Sequence, residues 1–169
     1  MFHTTLGWLH ALDLRLSLLF NGANAPVVAF FALMGRLGDG PLWLAAMVPA
    51  LLLAGPGAPL RIAASLLTGG VIYRLAKQHT ARPRPHVTCP DIRLLAVPLD
   101  RYSFPSGHTL HAFSSAVVIG DALPHARYVL WPLAALIGVS RVVLGLHYPS
   151  DVAAGAAVGL AVGLAWTAP

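Results

Sequence analysis

Three polar clusters interrupt an otherwise apolar sequence, and they contain the side chains that phosphate chemistry requires. They occupy residues 77–85, 103–108 and 140–151. Lysine and arginine supply positive charge and N–H donors for phosphate oxygens, and an arginine fork can bind two oxygens at once. Histidine can act as a nucleophile or as a proton donor. These residue types therefore predict a site that binds an anion and transfers a phosphoryl group.

The anion-binding part of this predicted site contains five residues. Lys77, Arg84 and Arg141 offer positive charge and many N–H donors. Gly107 allows the backbone to approach an anion closely because it has no side chain. If Ser106 begins a helix, its hydroxyl and the neighbouring N–H groups form an anion site at a helix amino terminus. Together these residues predict a phosphate-binding pocket.

The reacting part of the site contains two histidines and an aspartate, His108, His147 and Asp151. One histidine can attack phosphorus while the other protonates the leaving oxygen. Asp151 stands four residues after His147, a spacing at which two side chains share a helical face. An aspartate there can hold the imidazole in one tautomer, as the acid of a catalytic triad does. These residues alone leave open which histidine has which role.

The composition indicates a chain that lipid covers rather than water. Hydrophobic residues make up 57% of the 169 residues and charged residues only 10%, whereas a soluble domain carries about 25% charged residues. The net charge of +5 does not indicate nucleic-acid binding, because no solvated basic face alternates with aromatic residues. Cys89 is the single cysteine, so no intrachain disulfide can form. We expect one membrane domain over residues 1–169.

The apolar pattern predicts an all-α fold, an integral membrane bundle of about six transmembrane helices. Residues 1–21 carry leucines on one helical face and polar residues elsewhere, which is typical of a helix in the membrane interface. Residues 77–105 form the longest polar stretch and are predicted to be an active-site loop. Six apolar segments are predicted to cross the membrane: 23–37, 41–54, 58–76, 106–123, 128–143 and 149–167.

Counting these crossings places the three polar clusters on one side of the membrane. The first cluster stands where the third segment ends, and the second stands where the fourth begins. Two more crossings return the chain to the same side at the third cluster. The count also places Asp39 on this side and Arg15 on the opposite side. The three clusters are therefore expected to form one site.

These residues resemble the motifs of the type 2 phosphatidic acid phosphatase (PAP2) superfamily, which also includes vanadium haloperoxidases. Its first motif is a lysine, six residues and Arg-Pro, which matches Lys77 and Arg84-Pro85. Its second is Pro-Ser-Gly-His, which matches residues 105–108. Its third is Ser-Arg, five residues, His, three residues and Asp, which matches residues 140–151. Arg82-Pro83 is out of register with the first motif and is interpreted as a decoy.

The resemblance implies a role for each of these residues. His147 is the nucleophile and forms a phosphohistidine, Asp151 orients it, and His108 protonates the leaving group and then activates water. The resemblance implies that no metal or other cofactor takes part. The implied phosphate ligands are Lys77, Arg84, Ser106, Gly107 and Arg141.

The resemblance implies a lipid phosphate or diphosphate as substrate, with undecaprenyl diphosphate favoured over phosphatidylglycerophosphate and phosphatidic acid. Two other classes of function stay open, a vanadate-dependent haloperoxidase and a non-catalytic lipid transporter. The implied location is a bacterial inner membrane with the active site facing the periplasm or cell exterior. The excess of Lys and Arg on the motif side points the other way, since positive residues usually face the cytoplasm.

Several residues also have structural interpretations. His111 and Asp39 are interpreted as a hydrogen-bonded helix residue and a turn residue, although either could face the site. No third ligand stands at suitable spacing beside His108 and His111, so a metal site is not predicted. Arg36, Arg61 and Arg74 are interpreted as interface anchors. The row Gly155, Gly159 and Gly163 predicts close helix packing within the bundle, with a homodimer contact as the alternative.

Overall fold

The computed structural model describes the backbone of residues 2–167 and the side chains of residues 7–167. Every regular element within that range is helical, which confirms the all-α prediction. A single 3-10 turn (Pro124–Ala126) precedes α8. The helices are α1 (Phe2–Asn21), α2 (Ala25–Leu37), α3 (Gly40–Ala45), α4 (Met47–Ala54), α5 (Gly57–Thr80), α6 (Pro85–Thr88), α7 (Gly107–Ala122), α8 (Arg127–Val143) and α9 (Pro149–Thr167).

Two helix boundaries differ from those predicted from the sequence. The predicted segment 41–54 is divided into α3 and α4, because Pro49 has no N–H to continue the hydrogen-bond ladder. Helix α5 continues to Thr80, so Lys77 belongs to its last turn rather than to a loop. Ala81 follows the helix as its C-cap in the left-handed conformation, with a φ of 45°, and the loop begins there.

The glycine row of α9 packs against α7 inside the bundle. A Cβ atom added at Gly155 would lie 2.6 Å from the carbonyl oxygen of Ser106, and one at Gly163 would lie 2.6 Å from Val117 Cβ. The same atom at Gly159 would overlap the carbonyl oxygen of Leu110. The absence of side chains therefore lets α9 lie directly on α7, the helix that carries His108. This observation confirms the interpretation of the row as packing within the bundle.

Large apolar side chains cover much of the outside of the helices. On α5, Leu60, Leu67 and Val71 are 70%, 72% and 58% exposed, and α4 presents Leu52 and Leu53 in the same way. Side chains of this size in contact with water would be unfavourable at about 25 cal/mol per Å². The protein is therefore an integral membrane protein whose apolar helices face lipid.

Within the described residues, two helices are long and apolar enough to cross a membrane by themselves, over 124–143 and 149–167. Residues 7–21 and 25–37 pass the same test as a pair bent by 112°. The interfacial assignment of residues 1–21 stays a prediction.

The contacts of α1 and α2 correct the side on which α1 was placed. Asp13 of α1 forms an ion pair with Arg82, and Asn21 donates a hydrogen bond to the carbonyl of Val143. Helix α1, which includes Arg15, therefore lies at the end of the bundle that holds the polar clusters. Helix α2 also begins at this end, beside Arg93, and Asp39 just beyond it contacts His108. Crossing counts cannot detect such a segment, because they assume that every apolar stretch changes sides.

Candidate active site

His147 lies in the loop between α8 and α9, and it is 2% exposed. Its Nδ1 atom is 3.6 Å from Asp151 Oδ2, and its Nε2 atom is 3.3 Å from Arg84 Nη1. The spacing predicted that the two residues would share a helical face. They do not share a helix, because α9 begins at Pro149. They meet because Asp151 is in the first turn of α9 and faces back toward the residues that precede the helix. One ring nitrogen is therefore backed by a carboxylate while the other faces a guanidinium.

Asp151 is fully buried, and both of its oxygens accept hydrogen bonds. Oδ2 accepts from the backbone N–H of Tyr148 at 2.9 Å, an arrangement that also satisfies a free donor before α9. Oδ1 accepts from Arg82 Nη1 at 2.6 Å. The sequence interpretation of Arg82 covered only its register in the motif and did not identify this contact. Arg82 is out of register for the phosphate motif, but it contacts the carboxylate behind His147.

Arg82 also binds a second buried carboxylate, that of Asp13 on α1. Its Nη2 atom is 2.7 Å from Asp13 Oδ2, and its guanidinium lies 4.0 Å from the ring centroid of Tyr148. We call Asp13, Arg82 and Asp151 the aspartate clamp. Sequence reasoning missed it because nothing local connects residues 13, 82 and 151. The available signal was a charged residue, Asp13, that interrupts an apolar helix.

Lys77 and Arg84 converge on a third carboxylate, that of Asp100 in the polar loop. Lys77 Nζ lies 2.6 Å from Asp100 Oδ1, and Arg84 Nη2 lies 2.9 Å from the same oxygen. Burial by itself would raise the pKa of Asp100, but its hydrogen bonds with Lys77 and the two positive charges hold that pKa below the ordinary value. We call Lys77, Arg84 and Asp100 the anion cradle. Asp100 was not recognised from the sequence.

Arg141 is buried at the end of α8 with 6% exposure. Its Nε atom has no hydrogen-bond partner among the described residues. A buried guanidinium without such partners is unfavourable, and a phosphate would supply the missing acceptors. Gly35 of α2 makes room for it, because a Cβ atom there would lie 2.9 Å from Arg141 Nη1.

Ser106 and Gly107 start α7 as the sequence predicted, but they are placed differently. Ser106 is fully buried and is the N-cap, and its Oγ accepts hydrogen bonds from the backbone and side chain of Thr109. It does not line the cavity described below, whereas Gly107 does. The structure therefore gives Ser106 a capping position, and its role as a direct phosphate ligand stays a prediction.

His108 follows Gly107 and contacts the carboxylate of Asp39. The distance from His108 Nε2 to Asp39 Oδ1 is 2.9 Å. Asp39 precedes α3 as its N-cap residue, but its side chain makes no capping hydrogen bond. The turn interpretation of Asp39 is therefore incomplete, because its carboxylate faces the site. A carboxylate at this distance can accept a hydrogen bond from the Nε2–H group and so fixes the orientation of the imidazole.

His111 is on the same side of α7 as His108 and faces the same cavity. Its ring packs edge-on against Tyr73 at 5.8 Å between centroids. The hydrogen bond to a neighbour that the sequence interpretation assigned to it is not present at Nδ1 within the described part of the chain. His111 therefore forms part of the cavity wall.

A cavity of about 350 Å³ joins these groups. Its wall includes six of the eight residues proposed from the sequence, and the other two, Ser106 and Asp151, lie behind it. Among residues 7–167, no three His, Cys, Asp or Glu side chains converge as a metal site. The lining residues are Gly38, Asp39, Gly40, Tyr73, Lys77, Arg84, Leu99, Asp100, Gly107, His108, His111, Arg141 and His147.

The surroundings of His147 keep its imidazole neutral. Burial lowers the pKa of His147 to about 4, with Asp151 raising it and the charge of Arg84 lowering it. A neutral imidazole has a free electron pair at the nitrogen that faces the cavity. The arrangement can therefore bind an anion at the cations, attack it with His147 and protonate a leaving oxygen with His108.

Comparison with known families shows where this site belongs. The sequence model of the PAP2 superfamily matches residues 58–168, which contain all the motif residues. The chain is 39% identical over 89 residues to the bacitracin transport permease protein BcrC of Bacillus licheniformis, covering 51% of this chain and 43% of that protein. It is 35% identical over 117 residues to the decaprenylphosphoryl-5-phosphoribose phosphatase of Mycobacterium tuberculosis, covering 66% and 56%. The chain therefore spans about half the length of these relatives.

The fold is also similar to a solved structure. The crystal structure of LpxE from Aquifex aeolicus matches with a TM-score of 0.81 and 32% sequence identity. The match covers 92% of this chain and 94% of that one. The similarity therefore extends over nearly the whole bundle and not only over the motifs.

Proposed function

Because the chain belongs to the PAP2 superfamily, we propose that it is a membrane lipid phosphatase that acts through a phosphohistidine at His147. The observation that supports this function best is the environment of the His147 ring. Its Nε2 atom faces Arg84 at the wall of a cationic cavity, while Asp151 lies 3.6 Å behind Nδ1. A nucleophile with a charge partner behind it and phosphate ligands before it suits phosphoryl transfer.

In the first step, His147 Nε2 attacks the terminal phosphorus while the P–O bond to the leaving group breaks; the leaving group is a lipid alcohol or, from a diphosphate, a lipid monophosphate. Lys77, Arg84 and Arg141 stabilise the charge on the transferring phosphoryl oxygens. The imidazole gains positive charge as the N–P bond forms, and the Asp151 carboxylate stabilises that charge. His108 donates a proton to the leaving oxygen, and Asp39, 2.9 Å from its Nε2 atom, orients the ring for this step.

In the second step, water hydrolyses the phosphohistidine. His108, now neutral, accepts a proton from the water as it attacks phosphorus. Inorganic phosphate leaves and His147 is regenerated. In this proposal the cations supply the charge stabilisation that magnesium supplies in other phosphoryl transfer enzymes. Metal independence is therefore part of the proposal.

For the substrate, we propose a polyprenyl diphosphate, with undecaprenyl diphosphate as the first candidate. The decaprenylphosphoryl compound in the name of the M. tuberculosis relative supports the polyprenyl part of this choice. Phosphatidylglycerophosphate and phosphatidic acid are the alternatives. The site is at one end of a bundle of lipid-facing helices, where the phosphate group of a membrane lipid would be found.

We also propose an inner-membrane location with the site facing the periplasm or cell exterior. A Pro90→Cys variant in a Cys89→Ala background tests the orientation in whole cells. Labelling by an impermeant thiol reagent is expected, and protection until the cells are opened would reverse the proposed orientation. A homodimer stays a prediction. Because the α9 glycine row packs against α7, a dimer would use another surface.

Phosphate release from purified protein tests the proposed function. The panel contains undecaprenyl diphosphate, phosphatidylglycerophosphate and phosphatidic acid in detergent micelles. We expect His147→Asn to lower turnover by about a thousandfold or more, as expected when a nucleophile is lost. The exposed His125, at the opposite end of the bundle, supplies the control variant His125→Asn, which should keep full activity.

Three further readouts refine the result. Substrate labelled at the scissile phosphate should give an acid-labile, base-stable label on the wild-type protein and none on His147→Asn. Vanadate should inhibit, because it forms a pentacoordinate mimic of the transferring phosphoryl group, and EDTA should not. Full turnover by His147→Asn would refute the nucleophile, and loss of activity in EDTA restored by magnesium would refute metal independence.

A further inference from the structure

A second cavity of about 350 Å³ lies beside the first, between α2 and the polar loop. The two cavities share Asp39, Leu99, His108 and Arg141 as a common wall. His147 lines only the first cavity. The second is lined by Ala32, Gly35, Arg36, Asp39, Leu95, Ala96, Val97, Leu99, His108, Arg141 and Leu144. We call this second cavity the α2 cleft.

The positions of the two histidines relate the α2 cleft to the chemistry. In phosphoryl transfer, the attacking and leaving atoms are on opposite sides of phosphorus and roughly in line with it. His147 is the attacking group of the proposed mechanism, and His108 protonates the leaving oxygen. Because His108 lines both cavities and His147 only one, the α2 cleft is on the leaving-group side.

The wall of the α2 cleft combines apolar side chains with one additional cation. Ala32, Leu95, Val97 and Leu144 provide apolar surface. The side chain of Arg36, at the end of α2, has no hydrogen bond or ion pair with any residue of the described range. The charges of Lys77 and Arg84, by contrast, are both paired with the carboxylate of Asp100. This combination suits a ligand that has one more anionic group followed by hydrocarbon.

The mouth of the α2 cleft has an apolar rim. Val97 and Leu99 of the loop line the cleft and are 85% and 78% exposed. Apolar side chains at this position would contact acyl or prenyl chains at the membrane surface. A lipid tail can therefore leave the cleft without crossing a polar surface.

We propose that the α2 cleft binds the leaving group, and that Arg36 binds there the second phosphate of the diphosphate substrate proposed above. This inference depends on the proposed phosphatase function. His147 forms a bond to the terminal phosphorus, and the bond from that phosphorus to the bridging oxygen breaks. The bridging oxygen stays with the lipid monophosphate and receives the proton of His108. Arg36 neutralises the phosphate that leaves with the lipid.

The test compares farnesyl diphosphate with farnesyl monophosphate, which differ only in the second phosphate. Wild-type protein should have the higher kcat/KM for the diphosphate. The Arg36→Gln variant should lower the ratio of the two kcat/KM values by about tenfold, the size expected for one charge-assisted hydrogen bond. The Arg36→Lys variant should lower the ratio by less, since it keeps the charge but not the fork.

Arg74 supplies the matched control, because it is also an exposed helix arginine at this end of α5 and does not line either cavity. Arg74→Gln should leave both kcat/KM values unchanged. An unaltered ratio in Arg36→Gln, or a wild-type preference for the monophosphate, would refute the diphosphate subsite while the phosphatase function stands. Failure of the wild-type protein to release phosphate from either compound or from the phospholipid panel would instead refute the proposed function itself.

Discussion

The two sides of His147 have ion-pair networks of opposite charge balance. In the anion cradle, two cations share one carboxylate, that of Asp100, whose side chain is 36% exposed. In the aspartate clamp, two carboxylates share one cation, Arg82. The carboxylate nearest the nucleophile in the clamp, Asp151, is fully buried. One network has excess positive charge toward the cavity, and the other has excess negative charge behind the ring.

The difference in exposure separates two functions of ion pairs. A half-exposed carboxylate between two cations can give up its position to a phosphate, because water stabilises it when it moves. A buried carboxylate has no such alternative, and removing its partner leaves an uncompensated charge. We therefore expect the cradle to exchange its anion during turnover and the clamp to stay intact. The predictions below test this contrast.

The largest effect is expected when the clamp loses its cation. Arg82→Gln removes the donor 2.6 Å from Asp151 Oδ1, and breaking a buried pair costs about 3 kcal/mol or more. We expect kcat to fall by about a hundredfold or more while KM changes little, because phosphate is bound elsewhere. Steady-state kinetics and phosphohistidine trapping measure this.

Two variants control for a general structural effect of Arg82→Gln. Arg82→Lys should restore part of kcat, since it keeps the charge. Arg101→Gln alters an exposed loop arginine whose described contact is with the Tyr102 ring, and it should have full activity. A kcat for Arg82→Gln within threefold of the wild type would contradict the clamp.

A smaller loss is expected when the clamp is weakened at its far end. Asp13→Asn keeps the size of the side chain but removes the charge that pairs with Arg82 at 2.7 Å. Because Asp151 keeps its direct partner, we expect kcat to fall by only about tenfold, a change of about 1.4 kcal/mol. Asp91→Asn, at an exposed carboxylate of the polar loop, is the control. Equal activity of Asp13→Asn and wild type would show that the clamp ends at Arg82.

Removing the carboxylate of the anion cradle should strengthen anion binding, whereas weakening the aspartate clamp should lower activity. Asp100→Asn removes the negative charge that competes with phosphate for Lys77 and Arg84. We therefore expect vanadate to bind about fivefold more tightly, with a lower KM for lipid phosphate. Inhibition constants measured at fixed ionic strength test this. Weaker vanadate binding would mean that Asp100 orients the cations for phosphate rather than competing with it.

The smallest effect concerns pH, since His147 contacts both networks. Burial and the charge of Arg84 lower the pKa of His147 to about 4, although Asp151 raises it. The nucleophile is active when neutral, so activity persists above this pKa and is lost as pH falls through it. At pH 6 about 99% of the imidazole is neutral, whereas a histidine with an ordinary pKa of about 6.5 would be about 24% neutral. This is roughly a fourfold difference in active enzyme.

The pH profile of kcat/KM, corrected for the titration of the substrate, measures this limb. We expect the acid limb of the wild-type enzyme below pH 5. A limb centred near pH 6.5 would show that the imidazole is not held neutral in the free enzyme. Asp100→Asn tests the contrast between the two networks again. It removes the negative charge that pairs with Arg84, so the positive charge of Arg84 should lower the pKa of His147 further and move the acid limb to lower pH.

The sequence predicted the parts of the fold and of the site that depend on local pattern. Helix α9 begins at Pro149 and ends at Thr167, as predicted, because proline starts the helix and the apolar run ends there. The cations Lys77, Arg84 and Arg141 share one cavity with both histidines, as predicted from crossing counts. The number of crossings between two clusters does not change when helix boundaries move by a few residues. The count therefore placed the clusters on the same side correctly.

The side of α1 and the partners of the site residues could not be predicted from the sequence. Asp39, Asp100 and Arg82 stand in turns and loops, where no periodicity indicates which way a side chain points. Their contacts join positions far apart in the chain, such as Asp13 with Arg82. Without the three-dimensional arrangement, an ion pair of this kind cannot be distinguished from two surface charges.

The sequence alone therefore determined the membrane setting, the helical fold and the motif residues, because composition, apolar runs and residue spacing are properties of the chain itself. Only the tertiary structure decided that His147 has a net cationic network on one side and a net anionic network on the other. It also decided that α2 and the polar loop enclose a second cavity on the side of His108. Charge balance and cavities depend on which distant residues meet, and packing of the helices decides that.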